Sequence, residues 1–156
     1  MIKVFISYSV ADRGLVQRIA AELQPHAEPV FWDQDKELGE DAWRTIFGWI
    51  DTADCVVAII TDKVVSRGES VNQEIGYAKA KGKTVIPVVL CTVEKNRLGC
   101  LNGITYVEFD GGNLPPTIDA LNRRLAAMDQ NKQRQQGLAI LVVAALVLLA
   151  ISGGGK

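Results

Sequence analysis

Residues Asp54–Ile60, with the sequence D-C-V-V-A-I-I, form the most apolar strand pattern in the globular part of the chain, and the polar pair Thr61-Asp62 ends it. A continuous apolar run of this length is typical of a strand that is buried on both faces of a sheet. Pro87 interrupts a later run of the same kind and lacks an amide donor, so we expect a bulge there or a position near a sheet edge. In all, four other short strand patterns accompany the first: Lys3–Tyr8, Pro29–Trp32, Lys83–Leu90 and Ile104–Phe109.

Helical patterns separate these five strand patterns. After the first strand, Ser9–Asp12 matches the capping-box start of a helix whose apolar face begins at Leu15. A second helix begins with the acidic pair Glu40-Asp41, which favours the positive end of the helix dipole, and the last helix opens at Pro115-Pro116. Strand and helix alternate five times. The sequence therefore predicts an α/β fold with a flavodoxin-like, five-stranded parallel sheet and helices on both of its faces.

The stretch Ser66–Ala78 (S-R-G-E-S-V-N-Q-E-I-G-Y-A) predicts a Gly-containing loop and then a short helix that ends near Gly82. Glu74 shares the helical spacing of the buried stripe, and no Lys or Arg lies three or four positions away to pair with it. Burial disfavours the charged form of a carboxyl group, so an acid in this position is unusual. On this stretch alone, a structural and a functional glutamate fit equally well. The predicted stripe consists of three apolar residues: Val71, Ile75 and Ala78.

The predicted topology places Glu74 close to the expected ligand site. Open α/β sheets bind ligands at the carboxyl ends of their strands, where the strand order reverses. In a flavodoxin-like order this point lies between the first and third strands, which are followed by Ser7–Val10 and Thr61-Asp62. The charged loop Asp33–Gly39 and the start of the Glu74 helix flank the same edge. This placement favours a functional role for Glu74.

Composition and motifs exclude several other classes of protein. The chain has 17 basic and 18 acidic residues, for a net charge of −1, so we expect no nucleic-acid partner. Its three cysteines, Cys55, Cys91 and Cys100, lack metal-site spacing and are odd in number, which indicates neither a metal site nor a disulfide framework. Neither a G-x-x-x-x-G-K-S/T loop nor a G-x-G-x-x-G motif occurs. We therefore expect a domain of a reducing cytoplasm without those nucleotide-binding loops.

A phospho-receiver domain shares the predicted topology and would carry its phosphorylated aspartate at Asp62. In this chain, however, the first strand ends in Ser-Tyr-Ser instead of the acids that hold Mg²⁺, and no lysine follows the fifth strand. We reject that interpretation. The only histidine, His26, precedes a strand beside Pro25 and is expected to be a surface loop residue.

The composition changes abruptly at Gly137. Residues Leu138–Ile151 are all Leu, Ile, Val or Ala, a run slightly shorter than the ~17–25 residues that span a bilayer. We predict a globular domain over 1–128, a polar linker over 129–136, a transmembrane helix over 137–152 and a tail over 153–156. Basic residues on the amino-terminal side of the run place the domain in the cytoplasm by the positive-inside rule. These are Arg123, Arg124, Lys132 and Arg134.

With these patterns in place, the chain resembles a bacterial Toll/interleukin-1 receptor (TIR) domain. The resemblance covers about the first 110 residues and rests on a series of short motifs in family order. It departs from many enzymatic members at Ser70, where they carry a tryptophan four residues before the glutamate, and at Ser9-Val10, where some carry basic residues. The motifs are K-V-F-I-S-Y-S at Lys3–Ser9, Phe31–Asp33, Leu38–Trp43, Ala53–Ile60, Glu74–Ala78 and Val85–Leu90.

The resemblance implies two different functions. Enzymatic members cleave NAD⁺ between nicotinamide and ribose, which here would make Glu74 the catalytic residue, with NAD⁺ as substrate and no cofactor or metal. Substrate contacts carried over from the family fall on two loops: Tyr8, Ser9 and Val10, and Asp33 and Glu37. Adaptor members have no catalysis and only assemble with other TIR domains.

Three hypotheses remain at this stage. The first is a membrane-anchored NAD⁺ glycohydrolase, activated by self-assembly, with a role in antiphage defence or signalling. The second is a membrane-tethered adaptor in which Glu74 is structural. The third is an enzyme whose product is a nucleotide messenger read by another protein. Planar confinement at a membrane raises the effective concentration of the domains and would favour assembly in each case.

Overall fold

The computed structural model describes residues 1–32, 39–67 and 69–153, with residues 65–67 and 149–153 as backbone only. Five parallel strands form one sheet in the order β2-β1-β3-β4-β5. Their pairing is parallel throughout, so the predicted parallel sheet, with its reversal of strand order between the first and third strands, is confirmed. The strands are β1 (Ile2–Ser7), β2 (Ala27–Val30), β3 (Cys55–Ile60), β4 (Thr84–Leu90) and β5 (Val107–Phe109).

Helices cover both faces of the sheet, as the sequence predicts. The apolar sides of the first and last helices pack on one face, and those of the second and fourth pack on the other. The third helix lies between β3 and the fourth helix and was not predicted. The helices are α1 (Arg13–Leu23), α2 (Glu40–Thr52), α3 (Asp62–Arg67), α4 (Glu69–Ala80) and α5 (Pro115–Gly153), with short 3₁₀ turns at Val10–Asp12, Lys95–Arg97 and Gly99–Leu101.

Strand β3 forms the centre of the sheet. All six of its residues are buried, because helices cover both faces and β1 and β4 pair with its two edges. Cys55 has no exposed surface, and burial raises the pKa of its thiol to about 12. Cys55 is therefore a neutral, inert core residue.

Pro87 lies inside β4 without a bulge. The register between β3 and β4 runs without a break from Thr84 to Val89, so the expected bulge is absent from this pairing. Pairing with β5 begins only at Val88. Pro87 thus has a neighbouring strand, β3, on one side only. This agrees with the alternative expectation of a position near a sheet edge.

The predicted capping box at Ser9–Asp12 is wrong. Residues Val10–Asp12 form a 3₁₀ turn, and the Ser9 side chain makes no capping hydrogen bond. The reason is that Asp12 is buried, and its carboxylate bonds to the chain after β3 instead of a helix amide. Helix α1 begins one residue later, at Arg13.

Helix α4 ends where the sequence predicts. Gly82 has a φ of +68°, a conformation that glycine adopts at little cost. The amide of Lys83 donates to the carbonyl of Ala78, and the amide of Gly82 donates to that of Lys79. This paired arrangement is the Schellman motif, which satisfies the last carbonyls of a helix.

Helix α5 runs from the carboxyl edge of the sheet to its amino edge and continues past it. At the amino edge, Lys132 contacts both carboxylate oxygens of Asp54 at 2.9 Å, and Asp129 lies 3.5 Å from the amino group of Met1. Burial raises the pKa of Asp54, but the hydrogen bonds from Lys132 and the Lys3 amide outweigh it and leave that pKa lowered. These charge pairs fix the point at which α5 leaves the domain.

The residues predicted as linker, 129–136, belong to this same helix. Beyond them, eight large apolar side chains between positions 138 and 148 are more than half exposed to solvent. Within the described ranges, no helix is both long enough and apolar enough to cross a membrane. The predicted transmembrane helix over 137–152 is thus not supported by the described residues.

Candidate active site

Glu74 lies on α4 with its side chain against the carboxyl end of β1. Its residue surface is 5% exposed, and the Ser7 hydroxyl donates to its Oε2 at 2.5 Å. Ser7 itself has no exposed surface. The helical spacing that buries Val71, Ile75 and Ala78 carries Glu74 inward with them, as the sequence predicts.

The electrostatic state of Glu74 follows from this burial. Loss of water raises the pKa of its carboxyl group to about 7, although the hydrogen bond from Ser7 lowers it. At neutral pH the group is therefore divided between its charged and neutral forms. Perturbed carboxyl groups of this kind are typical of active sites, because a group near pH 7 can change its charge during a reaction.

Glu74 lines a small cleft at the carboxyl edge of the sheet. The cleft has a volume of about 30 Å³, room for about two water molecules. It lies at the reversal of strand order, where open α/β sheets bind their ligands. The other residues that line it are Phe5, Ile6, Tyr8, Val10, Trp32, Ile46 and Ser70.

The structure brings part of the predicted site together. Tyr8 and Val10 line the cleft with Glu74, whereas Ser9, directly between them in sequence, is not among the lining residues. Asp33 and Glu37 lie outside the described residues. The assembled part of the site thus consists of the first-strand loop and the Glu74 helix.

A buried charge cluster fixes the loop after β1. Asp12, 6% exposed, accepts a hydrogen bond of 2.5 Å from the Thr61 hydroxyl and lies 3.3 Å from the Lys63 ammonium group. Lys63 also donates to the Ala11 carbonyl at 2.8 Å. These contacts tie the chain after β1 to the chain after β3, and so hold the wall of the cleft that contains Tyr8 and Val10.

The sequence placed Ser7 at the expected ligand edge without predicting its bond to Glu74, and it gave no site role to Asp12 or Trp32. Ser7 and Glu74 are 67 residues apart in sequence, so no local pattern reveals their hydrogen bond. Trp32 was interpreted as the end of a strand, and its place in the cleft depends on the course of the chain after β2. The available signal was topological, since both Ser7 and Trp32 follow or end strands at the carboxyl edge.

Across the part of the chain that the structure describes, no group of three or more His, Cys, Asp or Glu side chains is arranged to hold a metal ion.

Comparison with known families agrees with this geometry. The family model described as "TIR domain" matches residues 4–126, most of the chain. The chain belongs to the TIR-domain family. TIR domains commonly self-associate through contacts between TIR domains, and they serve in signal transduction. The match covers β1 from Val4 onward, the other four strands, α1 to α4, the first part of α5, and Glu74.

Three solved structures are similar to this TIR domain in fold. The TIR domain of the Toll-related receptor TRR-2 from Hydra magnipapillata has a TM-score of 0.62 at 16% identity, covering 81% of this chain and 99% of that one. A prokaryotic SEFIR domain has a TM-score of 0.58 at 19% identity, covering 80% and 92%. The CMP N-glycosidase BcmB of Clostridium botulinum has a TM-score of 0.55 at 17% identity, covering 77% and 98%. Identities this low show the fold alone. No curated protein shows a significant sequence match.

Proposed function

We propose that this TIR domain is an NAD⁺ glycohydrolase and that Glu74 is its catalytic carboxylate. The observation that carries the proposal is the burial of Glu74 in a cleft at the carboxyl edge of the sheet, without a cationic partner among the described residues and with its pKa raised to about 7. A buried carboxyl group without a cationic partner lowers the stability of a fold, and such groups are typical of functional sites. The use proposed here is the stabilisation of positive charge.

The reaction breaks the bond between C1′ of the ribose and the nitrogen of the pyridinium ring. The bonding electron pair passes to that nitrogen, so nicotinamide leaves as a neutral molecule and needs no proton from the protein. The ribose becomes an oxocarbenium-like cation, which water captures to give ADP-ribose and a proton. Capture by an internal nucleophile would give a cyclic product instead.

A single carboxylate in a water-poor cleft suits this reaction. Because the leaving group needs no general acid, the second carboxylate of most glycosidases is unnecessary. The charged form of Glu74 stabilises the developing cation and accepts hydrogen bonds from ribose hydroxyls. The Ser7 hydroxyl, already bonded to Oε2, holds the carboxylate in one orientation.

Further contacts complete the proposed site. Tyr8, Ser9 and Val10 contact the substrate from the loop after β1, and Asp33 and Glu37 contact it from the loop after β2. NAD⁺ is consumed as a substrate, and the reaction as written requires neither a cofactor nor a metal.

Assembly and membrane attachment form the regulatory part of the proposal. The exposed apolar side chains between positions 138 and 148 support insertion of this end of α5 into a lipid surface, because such a continuous apolar area is unfavourable in water. The domain would face the cytoplasm, with the basic residues that precede the run on its side. Confinement to a surface raises the local concentration and favours TIR–TIR contacts, which we propose activate the enzyme.

The test is the rate of NAD⁺ loss from the purified protein at high surface density on lipid vesicles, compared with that of Glu74→Gln. Glutamine keeps the size of the side chain and a carbonyl acceptor for the Ser7 hydroxyl, but it removes the charge. We expect the native protein to release nicotinamide and Glu74→Gln to lose at least 100-fold in rate, about 3 kcal/mol of transition-state stabilisation. Glu69→Gln, an exposed position on the same helix, is the matched control and keeps the native rate.

Equal and negligible rates for native protein and Glu74→Gln, measured while assembly is confirmed by cross-linking, would show a non-catalytic adaptor. The products separate the remaining enzyme hypotheses, since ADP-ribose indicates hydrolysis and a cyclic nucleotide indicates a messenger.

A second candidate is an N-glycosidase that acts on a nucleotide with a neutral base, as the name of the similar structure from Clostridium botulinum describes for that protein. A neutral base must gain a proton as it leaves, and a carboxyl group with a pKa of about 7 can supply one. The two reactions therefore have opposite dependence on pH. The NAD⁺ rate rises with pH through about 7 as Glu74 ionises, whereas a rate that requires protonated Glu74 falls over the same interval.

A further inference from the structure

Trp32 lines the same cleft as Glu74. It lies two residues after the end of β2, outside the regular elements, and its backbone carbonyl accepts a hydrogen bond of 2.5 Å from the Tyr8 hydroxyl. Its ring is partly buried and packs against the ring of Trp49 on α2, with centroids 5.8 Å apart and planes inclined by 47°. The Tyr8 hydroxyl thus holds the backbone of Trp32, while its side chain packs against the core cluster and against Trp49.

The indole N–H of Trp32 is buried and has no acceptor among the described residues. A buried donor without a partner costs about 1–3 kcal/mol, so proteins usually satisfy such groups. When an unsatisfied N–H donor lies in the wall of a ligand cleft, a ligand atom is the simplest acceptor for its hydrogen bond. A sugar or phosphate carries several suitable oxygens.

The size of the cleft requires a lining side chain to move when a ligand larger than water enters. A volume of about 30 Å³ holds water molecules but not a ribose ring. Phe5, Ile6 and Ile46 are core residues with at most 1% of their surface exposed, and moving them would disrupt the sheet–helix packing. Trp32 is only partly buried and belongs to no strand or helix, so rotation of its side chain is the least costly way to enlarge the cleft.

We propose that Trp32 is a substrate-binding residue: its indole moves aside to admit the ribosyl part of the substrate, and its N–H then donates a hydrogen bond to an oxygen of the ribose or the adjoining phosphate. This inference rests on the proposed glycohydrolase function and adds a residue to it. The ring also becomes one wall of the enlarged site.

The kinetic test uses Trp32→Phe, which keeps an aromatic wall but removes the N–H donor together with part of the ring. We expect KM to rise about fivefold with kcat within twofold of native, because the lost hydrogen bond is formed in both the bound substrate and the transition state. Trp43→Phe is the matched control. Trp43 packs on Phe47 within α2, with ring centroids 5.3 Å apart. It does not line the cleft, so its replacement leaves KM unchanged.

A binding test that needs no turnover uses the Glu74→Gln protein with ¹⁵N-labelled tryptophan. The chain contains three tryptophans, so its spectrum has three indole N–H signals, which the single Trp→Phe variants assign. On addition of NAD⁺, and separately of ADP-ribose, we expect the Trp32 signal to move downfield while that of Trp43 stays in place. A Trp43 signal at its native position also shows that Trp32→Phe is folded.

The outcomes separate this inference from the function on which it rests. NAD⁺ cleavage by the native protein, together with an unmoved Trp32 signal or a native KM in Trp32→Phe, would overturn the role of Trp32 and leave the glycohydrolase intact. No cleavage and no movement of any indole signal would overturn both. If Trp32→Phe fails to fold, the titration decides the question, since it is performed with Trp32 present.

Discussion

Glu74 is almost completely buried, although the proposed reaction needs its carboxyl group in the charged form. Its pKa is about 7 in the folded protein and about 4.5 in the unfolded chain. Below pH 4.5 both states hold the proton. As pH rises from 4.5 to 7 the unfolded chain releases it first, so the stabilisation that comes with the neutral group is progressively lost. The loss reaches about 3 kcal/mol above pH 7.

Replacement of Glu74 by glutamine should therefore stabilise the protein at high pH. Because the amide is neutral throughout, we expect Glu74→Gln to exceed the native protein by about 3 kcal/mol in free energy of unfolding at pH 8, but by less than about 1 kcal/mol at pH 5. Urea denaturation of both proteins at the two pH values measures this. A difference of the same size at pH 5 and pH 8 would contradict the assigned burial cost.

Ser7→Ala tests the hydrogen bond to Glu74. The Ser7 hydroxyl lowers the pKa of the carboxyl group, so its removal should raise that pKa further. We expect the rise of kcat/KM with pH to shift to higher pH, and the ¹³C signal of the Glu74 carboxyl to titrate at correspondingly higher pH in the free protein. Thr45→Ala, on the exposed side of α2, serves as the control. An unchanged titration in Ser7→Ala would show that the bond does not set the charge of Glu74.

The sequence predicts that Glu74 is buried near Tyr8 and Val10, but it does not predict the other contacts of its side chain. Its burial follows from helical spacing with Val71 and Ala78, which is a local property of the chain. Its bond to Ser7 and its neighbour Trp32 depend on how distant segments meet at the sheet edge, and no spacing rule encodes those meetings. The chain from Asp33 to Leu38, which holds two of the predicted contacts, lies outside the described residues.

At the scale of elements, the Asp12 cluster joins the ends of β1 and β3. Asp12→Ala removes the acceptor of the buried Thr61 hydroxyl and the partner of Lys63. We expect a loss of about 2–3 kcal/mol in free energy of unfolding, most of it from the unsatisfied buried hydroxyl, since Lys63 is more than half exposed and its ion pair is screened. Urea denaturation provides the measurement.

The matched control is Asp41→Ala. Asp41 forms an ion pair with Arg44 in which both side chains are at least 80% exposed, so its removal should change stability by less than about 0.5 kcal/mol. Equal effects at positions 12 and 41 would argue against a structural role for the buried cluster.

A strand that is buried on both faces was predicted accurately, whereas elements with little buried surface were misplaced or missed. The central strand β3 begins at Cys55, within one residue of the prediction, because its continuous apolar run fits only a strand covered on both faces. Strand β2 was predicted over Pro29–Trp32 but lies at Ala27–Val30. It is an edge strand with little buried surface, so apolar content does not mark its ends. Helix α3 was missed because its short polar sequence resembles a loop.

For the molecule as a whole, helix α5 is the element that extends beyond the domain. Its exposed apolar residues from Leu138 to Leu148 contribute little to the core, so a chain ending at Gln136 should unfold with the native free energy within about 0.5 kcal/mol. We expect the 156-residue chain to sediment with anionic phospholipid vesicles and the shortened chain to remain in the supernatant.

A full-length variant with Leu141→Gln and Val147→Gln controls for length. It should also bind vesicles more weakly, because each polar replacement removes apolar area from the lipid contact. Vesicle binding by the shortened chain at the level of the full chain would show that the apolar end is not the anchor.

The course of α5 also gives the molecule a direction. The helix leaves the domain at Lys132, beside the amino ends of β1 and β3, whereas Glu74 and its cleft lie at their carboxyl ends. About 20 residues of helix follow Lys132, a rod of roughly 30 Å. In the proposed attachment through this helix, the cleft lies at the end of the domain opposite to the tether. A dense layer of such molecules can therefore pack flank to flank without any of them obstructing its neighbour's supply of dinucleotide.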